Sequence, residues 1–348
     1  MRILVRCPNW VGDCVMATPA LRALRETFPD AHISLLLKDY VRPVLEGAPW
    51  FDDTIACRDK PLFSLFRTAE DIRSLGFDIA VIMPNSFRSA LSIWLARVPR
   101  RVGYGRNGRS FLLTDPLEPP REGGRIVPVN MVDYYLALLR RIGCNPSSRR
   151  EELFFSPRSE ERAVRLLEGH GWRPGDRLIA LNPGGRYGSS KLWEAEKFAA
   201  VGDRLRERYD ARIIVLYGPG EEPIATRIAE CMSTKPILPL EQGYDLDILK
   251  PIIKRTMLLV TNDTGTRHYA VAFDRPVVVI FGSTDRRYTD VNLEKTAIVS
   301  ATVDCAPCQR KVCREKQHRC MELVTPEMVL EAAEALLARC SAEAERKR

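Results

Sequence analysis

The chain has 348 residues, 45% of them apolar and 28% charged, with a formal charge of +8 and a pI near 9.0. That length suits about two domains, the composition is that of a globular rather than a disordered chain, and no apolar run approaches the ~20 residues that span a bilayer. The basic excess favours an acidic partner, but there is no zinc-finger spacing, RNP-type aromatic motif or dense Lys/Arg block, so nucleic acid is not the expected one.

The N-terminal MRILVRCPNW reads as a strand over residues 3–5 and not as a secretion signal, so a cytoplasmic location with ten reduced cysteines is expected. Ala17, Leu21, Leu24 and Phe28 then recur at helical spacing. Residues 33–37 and 79–82 are the next buried strands, a helix follows over 89–98, and MVDYYLALLRRI at 131–142 closes this half as an amphipathic helix. Polar and proline-bearing stretches, CNPSSRREE and WRPGD, mark an inter-domain region. The alternation then restarts: strands over 178–181 and 213–216 flank a helix over 196–209, and strands follow over 257–260 and 277–281. A last helix has Thr325 as N-cap and Pro326 in its first turn, and is expected to end near Cys340 before a frayed tail, SAEAERKR. This pattern predicts an α/β protein with two Rossmann-like domains, residues 1–155 and 156–348, whose parallel sheets face across a cleft with ligands at the carboxyl ends of the strands.

Five segments carry candidate chemistry. In TNDTGTRHYA, 261–270, a strand ends in a small polar turn that opens a helix, an arrangement whose unpaired amides bind phosphate. There Thr264 and Thr266 add hydroxyls, Gly265 permits close approach, Asp263 can receive sugar hydroxyls, and His268 lies one turn on. The bland alternative is a capped turn with a structural histidine. In PNWVGD, Asp13 follows the first strand, either as a general base or as a helix cap. In NPGGRYGSSKLW, Gly184 and Gly185 can wrap anionic oxygens and Lys191 can add a point charge, at a spacing unlike a Walker A loop. In YGPGEE, Glu221 or Glu222 can bind ribose hydroxyls or merely start a helix. Finally, CAPCQRKVCREKQHRC places Cys305, Cys308, Cys313 and Cys320 among Arg310, Lys311, Arg314, Lys316 and Arg319. It reads as a reduced basic loop facing an anionic acceptor, with a zinc site as the alternative. Asp245 and Asp247 spell DxD, but at the start of a helical pattern where acids are simply favoured.

Taken together, PNWVGD, NMVDYYLALL at 130–139, NPGGRYGSSKLW, NDTGTRHYA and the cysteine segment resemble the lipopolysaccharide heptosyltransferases, and type II more than type I. These are two-domain GT-B glycosyltransferases, and the resemblance covers nearly the whole chain. It implies an N-terminal acceptor-binding domain and a C-terminal ADP-sugar-binding domain closed by the last helix. The donor would be ADP-heptose and the acceptor a heptosylated, Kdo-bearing lipid A precursor, with inversion at the anomeric centre and peripheral contact at the inner membrane. Asp13 matches the general base and Lys191 the lysine on the diphosphate. Asp263, Thr264, Gly265 and His268 match the donor turn, while ribose binding falls on Glu222 by an imperfect match. No cofactor or metal is expected. Thr266 and Arg267 depart from the family pattern, and a cation there would add to phosphate affinity or reach a phosphorylated acceptor. The rivals are a type I or other same-family transferase, a non-catalytic sugar-nucleotide-binding protein, and a nicotinamide oxidoreductase, which the lack of GxGxxG disfavours.

Overall fold

The structure, a computed structural model, describes residues 1–58, 62–239, 244–315 and 317–346. Lys316 therefore lies outside the described residues. The chain divides into two compact units, Met1–Phe154 with Arg287–Val291, and Phe155–Arg286 with Asn292–Arg348.

The first unit is built on six parallel strands: β1 (Arg2–Arg6), β2 (His32–Leu37), β3 (Asp53–Ala56), β4 (Ile79–Ile82), β5 (Arg100–Tyr104) and β6 (Asp115–Leu117). Their order is β3-β2-β1-β4-β5-β6. The central strands are apolar without alternation, as strands covered by helices on both faces must be, and Ile3, Leu4 and Val5 are wholly buried. A small hairpin, β7 (Arg121–Glu122) and β8 (Arg125–Ile126), turns through Gly123 and Gly124, which both take positive φ. That two-residue turn needs left-handed backbone at both positions, which glycine supplies.

The second unit has five parallel strands, β9 (Arg177–Asn182), β10 (Ala211–Val215), β11 (Leu258–Asn262), β12 (Val277–Phe281) and β13 (Thr296–Ser300), ordered β10-β9-β11-β12-β13. An isolated parallel bridge pairs Ile214 with Ile237 beside β10. Counting that bridge as a reduced strand, the second sheet follows the same order as the first. Helix Pro326–Arg346 packs Val329, Ala333, Leu336 and Leu337 into this unit's core. It runs past Cys340 through SAEAER, where no glycine or proline interrupts it, so most of the expected frayed tail is helical.

In both sheets the strand order reverses once, between β1 and β4 in the first and between β9 and β11 in the second. At such a point the connections leave in opposite directions and open a crevice at the carboxyl ends of the strands. The segments singled out as PNWVGD, NPGGRYGSSKLW and NDTGTRHYA follow β1, β9 and β11 respectively. Strands β3, β5, β6 and β13 and helix Leu62–Leu75 were not anticipated. Strand β5 begins with two arginines, and β3 and β6 carry acids, so their apolar signal is short.

Candidate functional site

In the second unit, the ends of β9 and β11 are tied to each other by their last residues. Asn262 donates to the carbonyls of Pro183 (2.6 Å) and Gly184 (3.4 Å), and Asn182 donates to the Thr266 hydroxyl (2.8 Å). The glycine loop after β9 is thereby fixed beside the helix Gly265–Ala272. That helix starts from Thr264, whose side chain makes no cap, although its carbonyl accepts from the Arg267 amide at 3.3 Å.

Lys191 closes a single 3-10 turn, Ser189–Lys191, and its ammonium donates to the Asp263 carbonyl (2.9 Å) and carboxylate (2.6 Å). Two residues on, Trp193 is buried and donates to the Val324 carbonyl, which anchors this end of the loop. Asp263 also accepts from the Thr284 hydroxyl at 2.7 Å and pairs with Arg267 at 3.3 Å. Burial pushes the Asp263 carboxyl up, but the charges of Lys191 and Arg267 and the hydrogen bonds from Lys191 and Thr284 hold it below the usual carboxylate range. Asp263 is thus an ionised, nearly buried anchor for Lys191, rather than a carboxylate turned to sugar hydroxyls.

Arg267 corrects the expectation of a phosphate-facing cation. It is 1% exposed, pairs with Asp263 one helical turn earlier and lies over the Phe281 ring at 5.2 Å. The i, i+4 spacing of Asp263 and Arg267 was the signal that this pairing left in the sequence. His268 is buried on the same helix.

Glu221, and not Glu222, reaches the glycine loop. Its carboxylate accepts from the amides of Gly185 (2.8 Å) and Gly218 (2.7 Å). A Cβ at Gly184 would overlap the Glu221 carboxylate, so glycine there leaves room for that carboxylate against the loop. Glu222 is exposed and opens the helix Glu222–Cys231. Asp245 and Asp247 are absorbed locally: Asp245 accepts from the amides of Asp247 and Ile248 and pairs with Arg162 at 2.9 Å, while Asp247 pairs with Lys250 at 3.0 Å.

The cysteine segment docks on this same loop. Ser190 donates its amide to the Lys311 carbonyl (3.1 Å) and its hydroxyl to the Arg310 carbonyl, and Tyr187 donates to the Gln309 carbonyl at 2.7 Å. His318 Nε2 lies 2.8 Å from the Ser190 carbonyl. These contacts use the backbone of Arg310 and Lys311, whose side chains are half-buried and exposed respectively. Among the described residues no three of His, Cys, Asp and Glu are placed to hold a metal ion, the four cysteines of the zinc alternative included. They are near enough to interact: burial first, then Cys305, Cys313 and Cys308, push the Cys320 thiol up to about 11.

A Cβ at Gly188 would collide with the Lys311 carbonyl. We expect Gly188→Ala to lift the cysteine segment from the loop at a cost of about 1–3 kcal/mol, the range for overpacking. Urea unfolding measures the cost, and limited proteolysis around residue 312 should cut the variant first; equal cutting rates would argue against the docking.

In the first unit, Asp13 is the third residue of helix Val11–Met16, so it lies in the first turn and does not cap it; the N-cap position is Trp10. Asp13 is half-buried, and the Tyr135 hydroxyl hydrogen-bonds to its carboxylate from helix Met131–Arg140. Burial first, then the adjacent Asp13 charge, push the Tyr135 phenol far up, so it stays a donor. Arg6, 1% exposed at the end of β1, braces the connection by donating to the Cys7 carbonyl (2.5 Å) and to Asn9 Oδ1 (2.7 Å). Tyr135 and Arg6 escaped sequence reasoning because nothing in their spacing marks which carboxylate or carbonyl they meet.

A family model for glycosyltransferase family 9 (heptosyltransferase) matches residues 65–319. Similar curated proteins include lipooligosaccharide heptosyltransferase 2 of Haemophilus influenzae, 27% identical over 97% of this chain and 100% of that one. Lipopolysaccharide heptosyltransferase 2 of Escherichia coli is also 27% identical, over 97% and 99% of the two chains. Among solved structures, a glycosyl transferase family 9 protein from Veillonella parvula superposes with a TM-score of 0.83 at 24% identity, covering 97% of each chain. The E. coli ADP-heptose LPS heptosyltransferase II superposes with a TM-score of 0.80 at 24% identity, covering 98% of this chain and 100% of that one. These likenesses show a common α/β fold of the GT-B class.

Proposed function

Because the chain belongs to glycosyltransferase family 9 (heptosyltransferase) and is a glycosyltransferase, we propose that it transfers L-glycero-D-manno-heptose from ADP-heptose to the heptosyl-Kdo core of a lipid A precursor, inverting the anomeric centre. The observation that carries this reading is the Lys191 ammonium, held at 2.6 Å by Asp263 beside the first turn of helix Gly265–Ala272. An ammonium and helix-start amides at one strand end suit a diphosphate. The relatives named for type 2 activity favour the heptosylated acceptor over its precursor.

In this mechanism Asp13 takes the proton of the acceptor hydroxyl as that oxygen attacks the anomeric carbon on the face away from ADP. The bond between the anomeric carbon and the β-phosphate oxygen breaks, and the leaving ADP keeps the electron pair. Lys191 and the helix amides take up the growing charge on the phosphate, which is the part a metal ion plays in other transferases. Tyr135 orients the Asp13 carboxylate, and Glu221 shapes the glycine loop for the nucleoside. The acceptor is lipid-borne, so the enzyme works at the cytoplasmic face of the inner membrane. Among the described residues no helix is long and apolar enough to cross a membrane, so that contact is peripheral in this reading.

Lys191→Ala should weaken ADP binding by about 1.5–3 kcal/mol, the range for a hydrogen bond to a charged group, and the loss should be largest at low salt. Titration calorimetry with ADP reads it directly. An unchanged ADP affinity would remove Lys191 from the donor site and the main support of this reading with it.

A further inference from the structure

Helix Phe87–Leu95, FRSALSIWL, carries one charged residue, Arg88. Its inward side, with Ala90 and Ile93, is buried in the apolar core over the first sheet. Phe87 and Trp94, seven residues apart, stand exposed on the other side, where a surface helix ordinarily shows charge to water, while Leu91 between them is half-buried and packs against that core. Phe87 is 40% and Trp94 45% exposed.

The neighbourhood extends this face. Phe111, 72% exposed, sets its ring 6.1 Å from that of Phe87, and Phe66, 55% exposed, belongs to helix Leu62–Leu75, which packs alongside. Single exposed apolar residues are ordinary, but a helix face with aromatic neighbours is the pattern of a contact surface. It is also held in place. Arg109, wholly buried, donates to the carbonyls of Tyr104 (3.0 Å), Ser86 (3.1 Å) and Pro84, and so staples the Phe111 turn to the start of the Phe87 helix. Arg67, Arg73 and Arg97 lie exposed on these two helices or just past their ends and Arg88 is half-buried, four cations against the exposed acids Glu70 and Asp71; Arg73 also donates to the Leu95 carbonyl.

We propose that this face of the first unit docks on an anionic lipid bilayer, with the rings at headgroup depth and the arginines on lipid phosphates. Aromatic side chains favour the membrane–water boundary, and basic ones the negative surface of the leaflet, so the two sets together match a lipid surface in both polarity and charge. The net charge of +8 acts in the same direction. This deepens the proposed function and rests on its membrane-borne acceptor for the purpose of the contact.

The test is cosedimentation of the full chain with vesicles of phosphatidylcholine, with and without phosphatidylglycerol, alongside transfer to a delipidated core oligosaccharide. The wild type should bind the phosphatidylglycerol vesicles, and less so at high salt. The pair Phe87→Ser with Phe111→Ser should lower that binding by about ten-fold or more. Arg67→Ser with Arg97→Ser should remove the preference for the anionic lipid. Thermal melts and turnover of the delipidated acceptor should stay at wild-type values in both variants. Failure of the wild type to bind anionic vesicles, or equal binding by the aromatic variant, would overturn the proposal. So would a dimer that the aromatic substitutions dissociate without changing vesicle binding, since a second copy would then cover the face. Vesicle binding without transfer would count against the heptosyl reaction and leave the docking surface standing.

Discussion

Asp13→Asn should lower kcat by about a hundred-fold or more with little change in ADP affinity, because a positioned general base contributes roughly 10²–10⁴ in rate. The substitution keeps the side-chain shape and leaves the Tyr135 hydroxyl an oxygen to donate to, so the helix Val11–Met16 and its surroundings should fold as before. That separates two roles for the carboxylate. If its work is to satisfy the buried phenol, Asn serves nearly as well and turnover survives. If its work is to take the acceptor proton, turnover collapses while the thermal midpoint and ADP titration stay put. Single-turnover kinetics with saturating donor distinguishes them, and near-normal rates would leave Asp13 a structural partner of Tyr135.

Asp263→Asn should be the most destabilising polar change in the second unit, by about 3–5 kcal/mol, the range for removing one member of a buried ion pair. It strips the carboxylate from Lys191 and from Arg267, whose side chains are 12% and 1% exposed. ADP binding should fall in the same variant, since Lys191 loses the group that aims it. The pH dependence has a definite sign. The folded Asp263 carboxyl lies below its unfolded value, so its contribution is fully present above the unfolded pKa, about 3.9, and is lost as pH falls through the lower folded value. The stability difference between wild type and variant should therefore hold constant from neutral pH down to about 4.5 and narrow only below that. Urea unfolding across this range measures it. A gap that widened toward acid would contradict an ionised Asp263.

Much of the candidate site in the second unit was legible because each relevant strand is an apolar run that stops in small polar residues. The ends of β9 and β11 carried that signal, and the reversal of strand order between them then brings the two turns together. What a linear reading lacked was the direction in which each side chain leaves its turn. Glu221 and Glu222 are neighbours of the same type, and only the folded backbone sends the first to the amides of Gly185 and Gly218. Arg267 looked like a ligand-facing cation, although Asp263 one helical turn before it was the cue for an internal pair. The matching asparagines that end β9 and β11 were likewise present in the sequence, but their hydrogen bonds, Asn182 to the Thr266 hydroxyl and Asn262 to the Pro183 carbonyl, form only when the strands lie side by side. The docking of the cysteine segment on the glycine loop left no periodic trace, because it uses backbone carbonyls, which every residue has.

The most direct measurement is an incubation of the purified chain with ADP-heptose and a heptosyl-Kdo-lipid A acceptor, with EDTA present, followed by mass and anomeric analysis of the product. We expect release of one ADP per added heptose, a product one heptose heavier, and a new linkage of anomeric configuration opposite to that of the donor. Retained configuration would contradict the direct attack assisted by Asp13. Loss of turnover in EDTA would contradict the assignment of leaving-group stabilisation to Lys191 and the helix amides, and no product with any heptosylated core acceptor would contradict the proposed transfer itself.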